Sequence, residues 1–443
     1  MNMGDLAVTS ILGWRDHPAS FPNPDYDQFI MPLIKPFAGL RPAPGRAADV
    51  AAPPYDVMST DEARAMVVGR PWSFLHISRP EVGLPEETDP YAPLVYAKAR
   101  ENLERMLAEG VLERDPAPCY YVYRLTMGQH VQTGLVAAAS VAAYDADRIK
   151  KHEFTRPVKE DDRVRQIDAL DAQTGPVFLV YRATPRIDEI LAAVSRRAPV
   201  VDIRAADQVR HEIWVVDDGD LIALLSTAFE ALPALYVADG HHRSAAASRV
   251  AAARRAANPA HRGDEAYNYF LAVIFPHSQM RIMDYNRLIK DLHGLDRETF
   301  LRLVAVPFRL TESPVPVKPA KPGDFGMYLD GQWYHLTLDE QRIPWDDPVG
   351  RLDVSLLQDN LIEPILGIID PRRDDRINFV GGIRGLEGLV KPVDEGRYRL
   401  AFSLYPTRMT DLMAVADAGE VMPPKSTWFE PKLADGLVSH VLD

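Results

Sequence analysis

Hydrophobic positions along the chain change their spacing repeatedly, which indicates that helices and strands both occur. Apolar residues recur at helical spacing over residues 61–68 and 96–112, and Gly110 is placed like a helix terminator. Aromatic and β-branched runs follow at residues 119–125 and 133–144, and they predict a hairpin. The first part of the chain therefore combines helices with antiparallel strands.

Beyond residue 170, short apolar runs alternate with amphipathic stretches. Strands are predicted at residues 175–183, 211–218, 234–240 and 269–275, and helices at residues 187–198, at residues 220–232 and from Ser244 onward. This alternation predicts a mixed α/β core. Residues 353–368 predict one more amphipathic helix, which Pro364 is expected to end.

The length of 443 residues exceeds the size at which one hydrophobic core usually stops growing, so we expect at least two lobes. Residues 1–30 show no sustained periodicity and are interpreted as an N-terminal extension. The Pro-rich segment 313–324 is the clearest break in the chain. We therefore divide the rest into an α/β core, residues 31–290, which is predicted to carry a nucleotide or phosphate site, and a C-terminal α/β lobe, residues 291–443.

The composition is that of an ordinary folded protein, with 47% hydrophobic and 26% charged residues. The single cysteine, Cys119, excludes a disulfide framework and agrees with a reducing compartment. The N-terminal residues do not resemble a secretory signal, and the longest weakly polar run, from Gly134, is too short to span a bilayer as a helix. We expect a cytoplasmic protein with no membrane partner.

The formal net charge of -13 disfavours a nucleic-acid partner, because such binding depends on clustered Lys and Arg. One segment departs from this acidic background. Residues 148–165 contain seven Lys or Arg against four Asp or Glu. A local basic segment of this kind suits a small anion better than a polymer.

The stretch LYVADGHHRSAAASRV, residues 235–250, places a strand before a strongly helix-forming run. The turn between them offers the free N–H groups and the positive dipole end of a helix, which together bind anions. Gly240 would let the backbone approach an oxyanion closely, and Arg243 can hold phosphate oxygens in a bidentate fork. His241, His242 and Ser244 add further donors. The turn predicts a phosphate site.

A plainer interpretation of the same turn is also open. Asp239 would then only cap the helix, and the two histidines would be partly exposed loop residues. A zinc site built from His241 and His242 is disfavoured, because adjacent side chains diverge and no further ligand follows at the usual spacing.

Six motifs in order resemble the bacterial family known as domain of unknown function 1015. They are IKPFAGLRP (34–42), APPYDV (52–57), KKHEFT (150–155), ADGHHR (238–243), DYNRLIKDL (284–292) and MPPKST (422–427). The ADGHHR turn also resembles the phosphate-binding turn of the ParB and sulfiredoxin superfamily, which includes the free serine kinases. The resemblance implies a ParB/sulfiredoxin-like mixed-sheet core with a second α/β lobe.

Within that superfamily the turn discriminates between activities. Sulfiredoxins carry a reactive cysteine where His241 stands, and Cys119 lies far upstream. ParB proteins continue into a DNA-binding domain, and no basic face of that kind is present here. The free serine kinases remain, so the resemblance implies ATP or ADP with Mg²⁺ as cofactors and serine or a similar hydroxy metabolite as acceptor.

The resemblance to the kinases' upstream His-Glu pair assigns catalytic roles to the basic segment and the turn. Glu153 is the expected base, His152 would orient it or bind phosphate, and Asp239 joins them as a catalytic residue. The cations expected to neutralise phosphate charge are Arg156, Lys159 and Arg163. The alternative is a solvated charged loop. A zincin motif is excluded, because no second histidine follows His-Glu at the required spacing.

Two further motifs are candidate contributors to the site. Tyr55 and Asp56 follow a double proline, and Asp56 could bind a substrate ammonium group or magnesium, for which Asp239 is the other candidate. Residues 419–427 have Walker A spacing, but Pro424 replaces the second glycine and rules out a P-loop. The rigid loop can still present the anion-binding side chains of Lys425, Ser426 and Thr427.

Asn286 and Arg287 are candidate substrate ligands, and a helix cap with an exposed arginine is the alternative for this motif. Taken together, the residues and the resemblance favour a small-molecule kinase acting on serine or a similar metabolite. A non-catalytic nucleotide- or phosphometabolite-binding regulator and a phosphatase or phosphotransferase acting on a phosphorylated amino acid remain open, as does homo-oligomerisation. Every catalytic assignment requires the basic segment and the turn to meet in space.

Overall fold

The computed structural model describes residues 31–443, and the predicted extension of residues 1–30 lies outside the described residues. The α-helices are α1 (Ala47–Val50), α2 (Thr60–Val67), α3 (Leu75–Ser78), α4 (Pro93–Ala108), α5 (Val141–Asp145), α6 (Pro157–Leu170), α7 (Pro185–Val194), α8 (Gly219–Glu230), α9 (His241–Ala257), α10 (Arg297–Val304), α11 (Asp353–Leu357), α12 (Glu363–Leu366), α13 (Glu387–Asp394) and α14 (Met409–Asp417). Short 3-10 helices and one π-helical turn, Gln358–Ile362, connect some of them.

The strands fall into two large sheets and three small pairs. In chain order they are β1 (Ile34–Lys35), β2 (Leu40–Pro42), β3 (Leu112–Arg114), β4 (Tyr120–Met127), β5 (His130–Ser140), β6 (Ile149–Lys150), β7 (Ala172–Gln173), β8 (Val177–Tyr181), β9 (Val201–Arg204), β10 (Arg210–Val216), β11 (Leu235–Asp239), β12 (Tyr269–Pro276), β13 (Ile282–Met283), β14 (Tyr285–Ile289), β15 (Phe308–Ser313), β16 (Asp324–Leu329), β17 (Gln332–Leu338), β18 (Ile377–Gly381), β19 (Leu400–Leu404), β20 (Trp428–Phe429) and β21 (His440–Val441).

The first sheet contains nine strands among the described residues, in the order β6-β11-β8-β12-β5-β4-β10-β9, with β1 paired to β5. The pairs β6/β11 and β8/β12 are parallel, whereas β8/β11, β5/β12, β4/β5, β4/β10 and β9/β10 are antiparallel. Strands and helices alternate along this part of the chain. The structure therefore confirms the mixed α/β fold expected from the sequence.

Both faces of the nine-stranded sheet are covered, which explains the almost continuously apolar strands such as β12. One face packs against helices through Leu191, Phe229 and Ala247. The other face shares a single apolar cluster with the second lobe, in which Tyr236 of β11 belongs to the same core as Phe402 of β19. The two lobes are thus joined by a common core.

The second lobe is built on an antiparallel sheet of six strands among residues 31–443, in the order β15-β17-β16-β19-β14-β18. The Pro-rich segment 313–324 connects β15 to β16 within this lobe. Strand β14 belongs to this sheet, although it precedes residue 291, so the sheets change a few residues before the division that we proposed from the sequence.

The C-terminal segment leaves the second lobe and returns to the first. Strand β20 pairs with β13, and β21 pairs with β7. Isolated bridges also join Ala52 to Asp435 and Leu40 to Ser439. This return places residues near the C-terminus beside the strand-to-helix turn at β11 and α9.

Apart from the start of α9, local predictions were wrong at three places. Residues 141–144 form helix α5 and do not extend the strand, because the Ser140 hydroxyl accepts the Ala143 N–H and caps a helix. Helical structure passes through Pro364 and ends at the left-handed Gly367, since the π-helical turn before the proline changes the hydrogen-bond register. The DYNRL motif is the buried strand β14, not a helix cap.

Within the part of the chain that the structure covers, no helix combines the length and apolar character needed to cross a membrane.

Candidate functional site

The strand-to-helix turn at β11 and α9 has the geometry of an anion site. Gly240 adopts a left-handed conformation with φ of 97° and leads directly into α9, which begins at His241, earlier than the predicted start at Ser244. The Arg243 N–H makes the first helical bond, to the Gly240 carbonyl at 2.9 Å. The N–H groups of His241 and His242 therefore have no carbonyl acceptor within α9. They lie at the positive end of the helix dipole.

Arg243 folds back over this turn. One of its terminal nitrogens donates to the Pro176 carbonyl, and the other lies 3.8 Å from a carboxylate oxygen of Asp239. Its buried Nε makes no hydrogen bond to a described residue. Burial opposes the charge, but Asp56, Asp239 and other neighbours outweigh it, so the pKa of Arg243 is raised. Arg243 is a permanent cation with a donor left for an anion.

The basic segment and the turn meet in the folded chain at two contacts. The Glu153 carboxylate lies 3.7 Å from Nδ1 of His241. The backbone N–H of Arg156 donates to Nε2 of His242 at 3.0 Å. The side chains of His241 and His242 thus diverge, as the sequence predicted, but each contacts the same upstream segment. The spatial requirement for a catalytic role of Glu153 is met.

Asp239 and Glu153 have opposite electrostatic environments. Burial disfavours ionisation of Asp239, but Lys432 and Arg243 outweigh it, and the pKa of this carboxyl is lowered. Partial burial, followed by repulsion from Asp239, raises the pKa of Glu153, whereas Lys425 and Arg156 act in the other direction. Asp239 is therefore a fixed anion, and Glu153 is the carboxylate with the greater tendency to accept a proton.

His152 and His241 form a buried histidine pair beside these carboxylates. Their rings are perpendicular, with centroids 4.5 Å apart. Burial lowers the pKa of His152 to about 4, and burial followed by the proximity of His152 lowers the pKa of His241 well below its usual range. Both imidazoles are therefore neutral at physiological pH. Neutral imidazoles bind metals or donate a single proton, and they add no positive charge to a phosphate site.

A small cavity lies behind the Arg243 side chain. Its volume is about 30 Å³, and its polar lining includes Tyr55, Arg163, Arg243 and Asp435. The Arg163 guanidinium stacks 3.9 Å above the Tyr55 ring and also bonds Asp162. Burial raises the pKa of Tyr55 to about 12, so its hydroxyl stays protonated. Two cations and a neutral hydroxyl suit a small anionic group in this cavity.

Sequence reasoning missed two residues of the site, Lys432 and Asp435. Lys432 Nζ donates to Asp239 at 3.0 Å, although the two positions are separated by 193 residues. Asp435 is buried in the cavity wall, where its backbone bonds Ala52 and its Oδ2 has no hydrogen-bond partner among the described residues. Both follow from the return of the C-terminal segment, which no local motif indicates.

The other predicted cofactor ligands lie around the turn with different partners. Lys159 donates to the Tyr91 hydroxyl at 3.0 Å. The Ser244 hydroxyl donates to the His241 carbonyl at 3.1 Å, and the Ser426 hydroxyl donates to the Pro423 carbonyl at 2.6 Å. Lys425 is exposed, with Nζ 5.6 Å from the Tyr285 ring centroid, and Thr427 follows in the same loop. The Ser244 and Ser426 hydroxyls thus already donate to backbone carbonyls, whereas the Lys425 ammonium group is accessible to a ligand.

The predicted substrate ligands separate into two groups. Asp56 is exposed and close enough to raise the pKa of Arg243, so it belongs to the site region. Asn286 is buried in β14, where its amide bonds Asp284 and the Leu404 N–H. Arg287 beside it holds the Tyr285 and Lys425 carbonyls. Asn286 and Arg287 thus make contacts within the protein, and Arg287 supports the loop that carries Lys425.

Replacing Gly240 by alanine tests the geometry of the turn. A Cβ atom here would lie 3.0 Å from Nε of Arg243, and the φ of 97° is strained for any side chain. The strain alone is expected to cost about 1–2 kcal/mol of unfolding free energy. We expect urea denaturation to show this loss, and anion affinity at the turn to fall because Arg243 is displaced.

Gly110 provides a matched control for this substitution, since it has a φ of 63° but open space around the added Cβ. Gly110→Ala should therefore lower stability to a similar degree and leave anion affinity unchanged. Equal effects of the two substitutions on affinity would contradict the assigned position of Arg243.

The buried Asp435 carboxyl is expected to make the free energy of unfolding depend on pH. Burial raises the pKa of its carboxyl to about 7, reinforced by Asp56 and opposed by Arg243 and Arg163. Because the folded protein binds this proton more tightly than the unfolded chain, the stabilising contribution is full below about pH 4 and is lost as the pH rises towards 7. The slope is at most about 1.4 kcal/mol per pH unit.

Urea unfolding of wild type and Asp435→Asn between pH 5 and pH 8 measures this contribution. The stability of the wild type relative to the variant should fall from pH 5 to about pH 7 and then level off. A constant difference across the range would show that Asp435 titrates normally.

The fold and the site together define a mixed α/β protein whose candidate site is centred on the strand-to-helix turn before α9. A family model described as "Protein of unknown function (DUF1015)" matches residues 34–355, which is more than half of the chain. The chain therefore belongs to the DUF1015 family, as the six sequence motifs indicated. No curated protein matches the sequence significantly.

Several solved structures resemble this chain distantly. Free serine kinase in complex with AMP has 14% identity and a TM-score of 0.31, covering 64% of this chain and 84% of its own. A conserved hypothetical protein from Pyrococcus furiosus has 13% identity and a TM-score of 0.32, covering 65% and 90%. C-terminally truncated SbnI from Staphylococcus aureus has 12% identity and a TM-score of 0.33, covering 68% and 85%. Likeness at this level identifies no ligand or activity of this chain.

Proposed function

We propose that this protein binds ATP or ADP and transfers the terminal phosphoryl group to the hydroxyl of serine or a similar small metabolite. One observation carries the proposal. The Glu153 carboxylate lies 3.7 Å from His241, in the first turn of α9, so a candidate base stands beside a candidate phosphate site. Phosphoryl transfer needs this combination, because its catalysis consists mainly of positioning and charge neutralisation.

In the proposed reaction the nucleotide phosphates bind at the N-terminus of α9. The N–H groups of His241 and His242 face the phosphate oxygens, and Arg243 supplies the remaining donors and a positive charge. Lys425, exposed in its loop and close enough to lower the pKa of Glu153, adds a second cation. Arg156, which contacts His242 through its backbone, is the third.

Glu153 performs the proton transfer in this account. Its carboxylate accepts the proton of the acceptor hydroxyl as the hydroxyl oxygen forms a bond to the terminal phosphorus. The bond from that phosphorus to the bridging oxygen of the nucleotide breaks, and the departing nucleotide takes the bonding electron pair. The raised pKa of Glu153 suits a base that must accept a proton near neutral pH.

Of the two candidate magnesium ligands, Asp56 suits the ion better than Asp239. Lys432 at 3.0 Å and Arg243 at 3.8 Å already neutralise Asp239. Asp56 is exposed and is the carboxylate that would hold the ion beside the nucleotide. Magnesium would neutralise phosphate charge, while Asp239 would keep Arg243 and Lys432 in place.

The cavity behind Arg243 supplies a place for the polar end of the acceptor. Arg163 and Arg243 suit a carboxylate, and the ionisable Asp435 suits an ammonium group. A hydroxy amino acid carries both groups. With a volume of about 30 Å³ the cavity has room for only one of these charged groups, so the choice of a hydroxy amino acid as acceptor rests on the resemblance to the free serine kinases.

Calorimetric titration of the full chain with ATP, ADP and inorganic phosphate, each with magnesium, tests the binding part of this proposal. Tight binding of a nucleotide and weak binding of phosphate are expected, because a nucleoside adds contacts outside the anion site. Nucleotide binding without any phosphorylated product would favour the regulatory alternative. Phosphate release from phosphoserine in the absence of nucleotide would favour a phosphatase.

A further inference from the structure

Three metal-ligating side chains converge beside the proposed phosphate site. They are His152 and Glu153, which precede α6, and His241, at the start of α9. One ligand atom from each lies within 4.8 Å of the other two. Two imidazoles and one carboxylate form the donor set that binds first-row transition metals in many proteins.

The two histidines keep ring nitrogens that make no hydrogen bond of normal geometry to a described residue, although the Val237 backbone lies close enough to His152 to raise its pKa slightly against the effect of burial. His152 is 2% exposed and His241 is 4% exposed. Neither ring nitrogen of His152 makes a hydrogen bond of normal geometry, and the same is true of Nε2 of His241. Buried polar atoms almost always have a partner, so each imidazole has a nitrogen available to a ligand beyond the polypeptide, and an ion would take one nitrogen from each ring.

The backbone holds the two histidines in place. The His152 carbonyl accepts the Met422 N–H at 2.8 Å, which ties this segment to the C-terminal loop. His241 is fixed by the left-handed Gly240 before it and by the helix after it. Glu153 is 49% exposed, so its carboxylate can adjust and a coordination position can remain open to solvent. Two fixed ligands and one adjustable ligand suit a site that takes up its ion from solution.

One of the three distances between ligand atoms is close to the distance that a bound ion requires, and all three are at most 4.8 Å. A metal about 2.0–2.2 Å from both a histidine nitrogen and a carboxylate oxygen would place these atoms roughly 3.3–3.5 Å apart in tetrahedral geometry. The observed separation between Nδ1 of His241 and Oε2 of Glu153 is 3.7 Å. A small rotation of the exposed Glu153 side chain closes this difference.

We propose that His152, Glu153 and His241 bind a divalent first-row transition-metal ion such as Zn²⁺ or Mn²⁺. Magnesium is a poor candidate for this site, because it prefers oxygen ligands and retains water. The ion is therefore distinct from the magnesium that would accompany a nucleotide at Asp56. The inference needs only the three side chains and holds whether or not the protein transfers phosphate.

Glu153 is both a ligand of the proposed metal ion and the base of the proposed reaction. A carboxylate that coordinates a cation is a weaker base than a free one. Binding of the transition metal and proton transfer therefore compete, and Zn²⁺ should inhibit phosphoryl transfer. The site would make the activity sensitive to the concentration of this metal.

Metal binding to the full chain provides the test, with Co²⁺ as a probe that absorbs visible light when bound to nitrogen and oxygen ligands. Chelator-treated wild type should bind one Co²⁺ with a visible absorption band, and Zn²⁺ should displace it. His152→Gln and His241→Gln, which keep a polar side chain of similar size, should each weaken binding at least about tenfold, because each removes one of three ligands. Circular dichroism establishes that each variant is folded.

His242→Ala is the matched control, because His242 neighbours the site but bonds the Arg156 N–H instead. It should retain Co²⁺ binding. Failure of wild type to bind Co²⁺ or Zn²⁺ stoichiometrically, or equal binding by wild type and both glutamine variants, would overturn the proposal.

Nucleotide titration of the same samples separates this inference from the proposed function. Metal binding without nucleotide binding would support the metal site and contradict the proposed kinase activity. Nucleotide binding and turnover with no transition-metal binding would support the kinase activity and contradict the metal site.

Discussion

Replacing Glu153 by glutamine is expected to lower phosphoryl transfer by about 10²- to 10⁴-fold, the range that a general base contributes. The amide keeps the size of the side chain but cannot accept the hydroxyl proton. Because the substitution keeps the side-chain size and leaves Arg243 and the backbone N–H groups of α9 in place, nucleotide affinity should change little. Steady-state kinetics and calorimetry of the same preparation measure the two quantities.

Asp161→Asn is a suitable control for this variant. Asp161 lies in the same segment and is 47% exposed, compared with 49% for Glu153, but it pairs with Arg249 on the surface. Its turnover should remain close to that of the wild type. If Glu153→Gln retained full turnover, Glu153 would belong to a solvated charged loop or to the metal site, and some other group would have to accept the proton.

Replacing Arg243 by alanine should weaken nucleotide binding about 10- to 150-fold. Hydrogen bonds to charged groups contribute about 1.5–3 kcal/mol each, and this arginine has an unused donor at the turn. The loss should appear in the dissociation constant measured by calorimetry with magnesium present. Arg243→Lys should fall between wild type and alanine, because lysine keeps the charge but loses the bidentate fork.

Arg243 donates a hydrogen bond to the Pro176 carbonyl, so its replacement by alanine can weaken nucleotide binding simply by destabilising the fold. The lysine variant, which keeps the charge, helps to separate this effect from the loss of a phosphate ligand. Arg249→Ala on the same helix is the matched control. Arg249 is 46% exposed, and its ion pairs among the described residues are with the half-buried Glu160 and the exposed Asp161 and not with the turn, so its removal should alter affinity by little. Comparable weakening in Arg249→Ala and Arg243→Ala would mean that general helix charge, not the turn, governs binding.

The sequence was sufficient to locate the main elements of the first lobe. The run from Leu235 to Asp239 is continuously apolar until its last residue, and the alanine-rich stretch after Gly240 has strong helix propensity, so the strand-to-helix turn was predictable. The start of α9 was placed too late. His241 and His242 have weak helix propensity, but the left-handed Gly240 begins the helix directly before them.

Strand β14 was misread because both faces of its sheet are covered. Tyr285, Asn286 and Arg287 are all buried, although polar residues in sequence normally indicate a surface. Arg287 is buried without a carboxylate, stacked 4.7 Å from the Phe379 ring, and burial lowers its pKa to about 10. The Arg287 guanidinium bonds the nearby Tyr285 carbonyl, but its other partners, the Lys425 carbonyl and the Phe379 ring, come from distant segments that a local pattern does not contain.

The assembled site depended on contacts between distant parts of the chain. Glu153 and His241 were singled out separately, but only the fold brings them within 3.7 Å. The pairing of His152 with His241 was missed, because metal motifs were sought at local spacing and the ligands come from two separate segments. Lys432 and Asp435 were missed for the same reason, since the C-terminal segment reaches the first lobe only after the second lobe is complete.

The central claim is that this site moves a phosphoryl group to a small hydroxyl compound. Its most direct test is mass spectrometry of products after incubating wild type and Glu153→Gln with ATP or ADP, magnesium and a set of hydroxy amino acids that includes serine. The account predicts a phosphorylated amino acid with wild type and very little with the variant. Equal product from the two proteins, or nucleotide binding by the wild type with no product from any acceptor, would contradict it.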